Sequence, residues 1–461
     1  MPAVASGARE ESISKREGTR LACLLAAGLG IAFTVACFFP GYMSRDSVSQ
    51  LWQARTMSFT DWHPPVMSLL WGLLDRVIPG PASMLILHSL MFWSGMGLFV
   101  YHLGYERASA SIAILLIGLA PPVFALLSTI WKDVGMGCSL VLACGLLLRA
   151  DRRHSKTAWA LAIVFLWYGL AVRHNGIIAV VPLAIWAALV SGPLWPGRNS
   201  DSRLSAALRA CSLVVLLLLA AQGANRSLTK PGSPPPVQQI LVHDLVGVSL
   251  ETDRLDLPDY LVDALGSREV SALRPLYSPN EVVPLFCCDT KIRRLPLVAE
   301  PDKLSRLWSK WRSTIPCYLG AYFRHRTRVF ESEMGIGRAM VCAPYWNRIE
   351  ENPWGLEFHA TPLNRQVMSI LSGVSNSLLF RGWFWVTLIG AVTIAFLLGS
   401  SPGRSSGVLI GLSGLLYVAV NFFVGTTCDF RMHWWTVLAT FLVALLLIAG
   451  WLDRVRARAS L

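Results

Sequence analysis

The chain has 461 residues, of which 54% are hydrophobic and only 15% are charged. This composition excludes an ordinary soluble globular protein, and several uncharged runs could cross a hydrocarbon core of about 30 Å. The net charge of +13 would suit nucleic acid, but the basic residues stand at the ends of apolar runs and no nucleic-acid motif is present. We therefore predict an integral membrane protein that contacts the lipid bilayer and binds no nucleic acid.

The apolar runs predict an all-α polytopic membrane protein with about ten transmembrane helices. The predicted spans cover residues 21–39, 82–102, 108–129, 134–148, 157–172, 176–190, 208–222, 382–399, 408–424 and 434–451. Arginine and lysine are concentrated in alternate loops, and the densest group runs from Arg149 to Lys156. Because cytoplasmic loops carry such groups, we predict a cytoplasmic N-terminus and interpret the first span as a retained signal-anchor.

These spans divide the chain into a cytoplasmic tail (1–20), a transmembrane module (21–224), a mixed extracytoplasmic domain (225–380) and C-terminal transmembrane helices with a short cytoplasmic tail (381–461). The domain is long enough to bury a small core. Five cysteines lie on its side of the membrane: Cys287, Cys288, Cys317, Cys342 and Cys428. In an oxidising compartment we expect one or two disulfides among them. The basic and aromatic stretch 318–330 is interpreted as a solvated face.

The first outer loop, residues 40–81, is where we expect the catalytic residues. Its amphipathic pattern predicts juxtamembrane helices, and the segment 66–78 is too short to span the membrane. The first of these helices would expose Asp46 and Gln50. Asp46 either compensates the dipole of that helix or acts as a general base. We favour the base, and Asp61 is the alternative base.

A second charged group follows in the sequence Asp61-Trp62-His63-Pro64-Pro65. The proline after His63 restricts that residue to extended backbone, so its imidazole is held in place. Asp61 would then be a second acid–base group, or it would orient His63. The pair supplies only two of the three or four protein ligands that zinc requires. We therefore predict no required cofactor, with a divalent cation at this pair as the alternative.

The short outer turns between later spans carry isolated polar residues. They are Lys132 and Asp133 before the fourth span, Arg173, His174 and Asn175 after the fifth, and Arg431 before the tenth. Such groups bind phosphate or pair with one another across helices, and for Arg173 the partner would be Asp46 or Asp133. We assign all six, together with His63, to substrate or phosphate binding.

The chain resembles the GT-C superfamily of integral-membrane glycosyltransferases, which includes protein mannosyltransferases and aminoarabinose transferases. The resemblance is architectural: an acidic residue follows the first span (Asp46), another lies in a second short outer turn (Asp133), and there are many spans and a large outer domain. The segments FPGYMSRDSVSQ, DWHPP, WKD and RHNG also look like those of bacterial polytopic proteins of this kind. It covers residues 21–136 well and the rest by topology. The resemblance implies a polyprenyl-phosphate-sugar donor, with Asp46 at the position of the family's catalytic acidic residue. Many members carry an adjacent acidic pair there, whereas Asp46 is flanked by Arg45 and Ser47.

A carboxylate near cations suits transfer of a sugar from a phosphate leaving group to a hydroxyl. We predict a glycosyltransferase of the bacterial inner membrane that acts on its periplasmic face and glycosylates an envelope lipid, polysaccharide or protein. One alternative is a flippase for lipid-linked sugars, for which His88 and Asn421 are intramembrane polar positions although no internal repeat is evident. Another is an oligosaccharide polymerase or ligase of similar architecture.

Overall fold

The computed structural model describes residues 2–194, 203–287, 294–337, 342–399 and 403–459, with side chains from residue 14 onward. Over these residues the secondary structure is helical, and the only β-pairing consists of isolated bridges. The prediction of an all-α membrane protein is therefore confirmed at this level.

The first ten α-helices of the described residues are α1 (Pro2–Phe38), α2 (Arg45–Thr56), α3 (Pro65–Asp75), α4 (Ala82–Leu103), α5 (Arg107–Gly118), α6 (Pro121–Leu127), α7 (Lys132–Arg153), α8 (Lys156–Ala171), α9 (Gly176–Leu194) and α10 (Arg203–Leu228). The remaining ones are α11 (Val237–Thr252), α12 (Asp259–Leu265), α13 (Pro301–Cys317), α14 (Leu319–Met334), α15 (Pro362–Val374), α16 (Gly382–Leu398), α17 (Arg404–Ala419), α18 (Asn421–Val424) and α19 (Trp434–Ala459). Short 3-10 helices cover Val270–Leu273, Val283–Leu285, Leu378–Phe380 and Phe430–His433.

Seven helical stretches of the described chain are long and apolar enough to cross a membrane. They are Ser14–Phe38, Ala82–Leu103, Lys132–Arg153, Gly176–Leu194, Arg203–Leu228, Arg404–Val424 and Phe430–Ala459. An eighth span would be the pair α5 and α6, which are bent by 64° at a short break. The break precedes Pro121 and Pro122, which have no N–H to continue the ladder of α5 and instead begin α6. The predicted number of about ten spans therefore stays unconfirmed.

Two of the predicted spans are shorter helices in the structure. They are α8 and α16, with 16 and 17 residues. At about 1.5 Å per residue each is about 25 Å long, which falls short of the ~30 Å of hydrocarbon. The segment 66–78 also forms a short helix, α3, whose 11 residues are too few to span.

Helix α7 lies at the centre of the bundle, and its side chains from Asp133 to Leu148 are buried. It packs closely on α4 because two glycines face each other there. A Cβ atom on Gly95 would lie 2.6 Å from the backbone N of Leu142, and one on Gly145 would lie 2.7 Å from the backbone O of Gly95. Small residues of this kind let helices approach closely in membranes, where water does not drive their association.

Part of the segment 225–380 has a core of its own. Leucines from α11, α12, α13 and the turns between them form this core, among them Leu241, Leu245, Leu261, Leu273 and Leu307. The later part, from Tyr345 through α15, packs on the core of the transmembrane bundle instead.

A disulfide joins Cys342 to Cys428, which lies in the loop before α19, and their Cα atoms are 5.6 Å apart. This confirms the expectation of at least one disulfide. Cys317 is an exposed free thiol, and Cys288 lies outside the described residues.

Candidate functional site

The segment after α1 brings the first turns of α2 and α7 together. The chain leaves α1 through a cis peptide before Pro40 and through Gly41, whose φ of +107° favours glycine. The backbone N–H of Tyr42 then donates to the carbonyl of Ser128 at 3.0 Å, and the N–H of Ile130 donates to the carbonyl of Tyr42 at 3.0 Å. These hydrogen bonds place the start of α2 beside the turn that precedes Lys132.

Side chains fix the start of α2 against the same turn. Ser44 occupies the N-cap position, and its N–H donates to the hydroxyl of Ser47 at 3.2 Å. The Ser47 hydroxyl donates to the carbonyl of Ile130 at 2.7 Å. The indole N–H of Trp131 donates to the Ser44 hydroxyl at 2.7 Å. The serines flanking Asp46 therefore orient it relative to α7.

The structure corrects one prediction about α2. Gln50 is fully buried, although it was expected on the exposed face with Asp46. The exposed residues of this helix are Arg45, Trp52 and Thr56. Helix α2 therefore packs the face that carries Gln50 against the protein. The amphipathic pattern of the sequence predicts the opposite, because glutamine is polar.

Asp46 forms an ion pair with Arg431, the side chain predicted before the last span. Its Oδ2 lies 2.8 Å from Nη1 of Arg431, and the two side chains are 33% and 14% exposed. Arg431 also pairs with Asp429 at 3.0 Å, and its guanidinium lies over the ring of Trp131 at 4.7 Å. Residues distant in sequence thus converge on a carboxylate that stays open to solvent.

His63 and Lys132 form the other side of the Asp46 carboxylate. Nζ of Lys132 lies 3.1 Å from Nδ1 of His63. A protonated Lys132 can only donate, and in that state Nδ1 accepts and the ring proton lies on Nε2. That Nε2 is 4.0 Å from Oδ1 of Asp46, too far for a direct hydrogen bond. Within the described residues, the polar side-chain contacts of His63 are with Lys132 and Asp46, so these two residues, rather than the alternative Asp61, are the ones that orient its ring.

The charges of this cluster control the protonation of Asp46 and His63. Burial would raise the pKa of Asp46, but Arg431, His63 and Lys132 outweigh it and hold that pKa well below its usual value. Burial and the charge of Lys132 lower the pKa of His63 to about 3. At neutral pH the site therefore presents an ionised carboxylate beside a neutral imidazole.

Asp61 lies at the rim of the cluster, with 45% of its side chain exposed. Its backbone carbonyl lies 3.0 Å from Nε2 of His174, and its carboxylate lies 4.0 Å from the same nitrogen. Burial and the charge of Lys132 lower the pKa of His174. The predicted residues Asp61 and His174 are therefore brought together, but beside Asp46 rather than in contact with it.

Arg173 makes the interhelical ion pair that its position allowed, with the buried carboxylate of Asp133. Its Nε donates to the side chain of Asn175 at 2.6 Å, and its Nη2 contacts the sulfur of Met432 at 2.9 Å. Each nitrogen of the guanidinium thus has a protein contact, so a phosphate would have to displace one.

One buried residue of this network, Glu333, was not predicted from the sequence. The side chain of Asn175 donates to that of Asn421 at 3.4 Å, and Asn421 donates to Oε1 of Glu333 at 2.7 Å. The other oxygen of Glu333 is buried with no hydrogen-bond partner among the described residues. Burial raises the pKa of Glu333 to about 8, despite the hydrogen bond from Asn421 and the charge of Arg173. No motif marks Glu333, because its role depends on how α14 docks on the bundle.

The stretch 318–330, interpreted as a solvated face, is partly interior. Arg326 and His325 are fully buried, and they contact the buried carboxylate of Asp244 at 2.6 Å and 3.4 Å. Arg326 also donates to the carbonyl of Gly425 at 2.8 Å. Charged residues occur in this interior because they are paired. The cluster links the domain to the loop that leads to Arg431.

The fold and the site define an α-helical membrane protein with a charged centre at one end of its helix bundle. The chain matches no protein-family model, no curated protein and no solved structure. Among the residues that the structure describes, no group of three or more His, Cys, Asp or Glu side chains could hold a metal ion. The chemistry of this centre must therefore be argued from its own residues.

Proposed function

We propose that this protein is a membrane glycosyltransferase that moves a sugar from a polyprenyl-phosphate-linked donor to an envelope lipid, polysaccharide or protein. The observation that carries the proposal is the Asp46 carboxylate, which is 33% exposed and has Arg431 on one side and the His63–Lys132 pair on the other. A base and phosphate-binding cations are what such a transfer requires in one place.

In the proposed reaction, an acceptor hydroxyl gives its proton to Asp46 as its oxygen bonds to the anomeric carbon of the donor sugar. The bond between that carbon and the phosphate oxygen breaks, and the electron pair leaves with the lipid phosphate. The 4.0 Å gap between Asp46 and Nε2 of His63 allows the hydroxyl to interact with both groups. Nε2–H then donates to the hydroxyl oxygen and orients it.

The ion pair with Arg431 lowers the basicity of Asp46. A donor phosphate that binds Arg431 would draw the guanidinium away from the carboxylate and restore that basicity. The base would therefore become effective only when the donor is present. Arg431 keeps a second anionic partner, Asp429 at 3.0 Å, so its position does not depend on Asp46 alone.

Lys132 is the cation best suited to the donor phosphate. Its ammonium group has three donors, and in the described residues it makes one side-chain hydrogen bond, to the neutral imidazole of His63. The guanidinium of Arg173, by contrast, is committed to Asp133 and Asn175. We therefore assign Lys132 and Arg431 to phosphate binding, and Arg173 to holding α7 against the turn between α8 and α9 and the segment before α19.

The experiment is a transfer assay with the purified protein in proteoliposomes, using polyprenyl phosphates that carry labelled hexose, pentose or amino sugar. Mass spectrometry of envelope glycolipids and glycans from a deletion strain identifies the sugar and the acceptor to supply. Lys132→Gln should raise the KM for the donor about tenfold, because one charge-assisted contact is lost. Lys230→Gln, at an exposed lysine, is the matched control. Absence of a new glycosidic bond with every donor would overturn the proposal.

One observation favours a transporter as the second candidate. The pair α5 and α6 is bent by 64°, and His88 inside α4 is buried without a hydrogen-bond partner in the described chain. Broken helices and intramembrane ionisable residues are typical of transporters. In the same proteoliposomes, movement of labelled lipid-linked sugar between leaflets without bond formation would establish transport.

A further inference from the structure

A concave charged region lies at the opposite end of the bundle from Asp46. We call it the basic cavity, and its volume is about 460 Å³. It is lined by Lys15 and Arg16 of α1, by the turn from α4 to α5, and by Arg152 and Arg153 of α7. This size falls within the range of small-molecule pockets, about 300–1,000 Å³.

Among the described residues, the lining of the basic cavity carries more cations than carboxylates. Its one carboxylate, Glu106, lies 2.7 Å from Arg456 of α19, outside the lining. Arg152 and Arg153 make no ion pair within the described chain. Cations held close together repel one another, so an anion bound between them would relieve that repulsion.

General rules explain why cations occur at this end, but not why they converge. Positive residues are common in cytoplasmic loops, and arginines in the last turn of α7 interact favourably with its helix dipole. Both rules are satisfied by cations spread over the surface. Here, cations from α1 and α7, which are distant in sequence, face the same space.

The wall of the basic cavity between α4 and α5 is held in place by the fold. Helix α4 ends at Gly104 in the left-handed region, with a φ of +82°. The hydroxyl of Tyr105 then donates to the carbonyl of Leu445 in α19 at 2.8 Å. The turn between α4 and α5 is therefore fixed against a transmembrane helix.

Exposed apolar side chains continue from the basic cavity along α1 and α5. Leu21, Leu24 and Leu25 on α1 are 51%, 60% and 61% exposed, and Ile112 and Leu116 on α5 are 63% and 70% exposed. A ligand with a charged group in the cavity could therefore place hydrocarbon chains on these two faces. A soluble anion would use the cations but not the apolar faces.

We propose that the basic cavity binds the phosphate headgroup of an anionic membrane lipid, with its acyl chains along α1 and α5. Arg152 and Arg153 contact the phosphate from α7, and Arg16 contacts it from α1. Basic pockets between transmembrane helices are known to bind such headgroups. This site is independent of the proposed sugar transfer, and it holds whether or not Asp46 is catalytic.

The test is native mass spectrometry of the full-length protein released from nanodiscs of phosphatidylcholine that contain a minor fraction of phosphatidylglycerol or cardiolipin. The double variant Arg152→Gln with Arg153→Gln removes two lining charges. Arg454→Gln with Arg458→Gln is the matched control, because it removes two charges from the same end outside the lining. A single Arg16→Gln variant tests the contribution of α1.

We expect the unchanged protein to retain an anionic lipid in preference to phosphatidylcholine. The lining double variant should weaken this preference at least tenfold, given about 1 kcal/mol per basic residue near anionic lipid, and the control should keep it. Equal losses in both double variants would show non-specific attraction and overturn the proposal. Competition by inorganic phosphate as strong as by the lipid would show a soluble-anion site and overturn the assignment to lipid.

Discussion

Two groups in this protein combine an aspartate, an arginine and a histidine, and they differ in their access to solvent. At the bundle end, Asp46 and Arg431 are 33% and 14% exposed. In the domain, Asp244 and Arg326 are fully buried. The exposed pair can exchange a protein partner for a ligand, whereas the buried pair would leave an uncompensated charge if either partner moved.

The difference shows that residue type alone does not identify a site. The domain group joins α11 to α14 and reaches the carbonyl of Gly425, so it holds together the part of the chain that leads to Arg431. The bundle-end group leaves a 4.0 Å gap between Asp46 and His63. We therefore expect substitutions in the bundle-end group to affect activity and substitutions in the domain group to affect stability.

The largest expected effect is on transfer. Asp46→Asn should lower the transfer rate by about 10²- to 10⁴-fold, the usual contribution of a general base. Arg431 would keep its pair with Asp429, so expression and melting temperature should change little. Rates in proteoliposomes measure the effect, and Glu357→Gln, at an exposed carboxylate, is the control.

Asp61→Asn, measured in parallel, decides between the two candidate bases. A smaller loss than in Asp46→Asn would assign the base to Asp46. A larger loss would move that role to Asp61, and full activity of Asp46→Asn would remove its catalytic assignment.

In the domain, Asp244→Asn should cost about 3–5 kcal/mol of unfolding free energy, because Arg326 and His325 would lose their buried anion. Chemical denaturation followed by tryptophan fluorescence measures this loss. Asp46→Asn in the same experiment should cost less, because the Asp46 side chain is 33% exposed and Arg431 keeps Asp429 as a partner. Equal costs for the two variants would contradict the distinction between the groups.

The disulfide is expected to have a smaller effect. It closes a sequence separation of 86 residues between the domain and the loop before Arg431. Replacing Cys342 and Cys428 by serine together should lower stability by about 2–4 kcal/mol. It should also raise the KM for the donor, because Arg431 would be held less firmly. Cys317→Ser, at a free thiol, should leave both melting temperature and KM unchanged.

A further expected effect depends on pH. Burial raises the pKa of Glu333 from 4.5 to about 8. The charge of Asp429 also raises this pKa, whereas the charges of Arg173 and Arg326 lower it. The folded state therefore holds a proton that the unfolded state releases between these pH values, and this favourable contribution is lost as the pH rises. Between pH 4.5 and 8 the unchanged protein should lose stability and Glu333→Gln should not. The melting temperature of the variant, relative to that of the unchanged protein, should therefore rise with pH. A constant difference would show that Glu333 does not titrate there.

The sequence by itself determined the membrane class, the helical fold and most of the polar residues that meet at one end of the bundle. These conclusions follow from the length of apolar runs and from charges at their ends, which are local properties. Asp46, Lys132, Arg173 and Arg431 were identified in this way, because polar groups at the end of a span require partners.

Only the tertiary structure decided which partners these residues have. It paired Asp46 with Arg431 and Arg173 with Asp133, and it buried Gln50, Glu333 and Arg326. Burial and pairing depend on how distant segments pack, which neither periodicity nor spacing specifies.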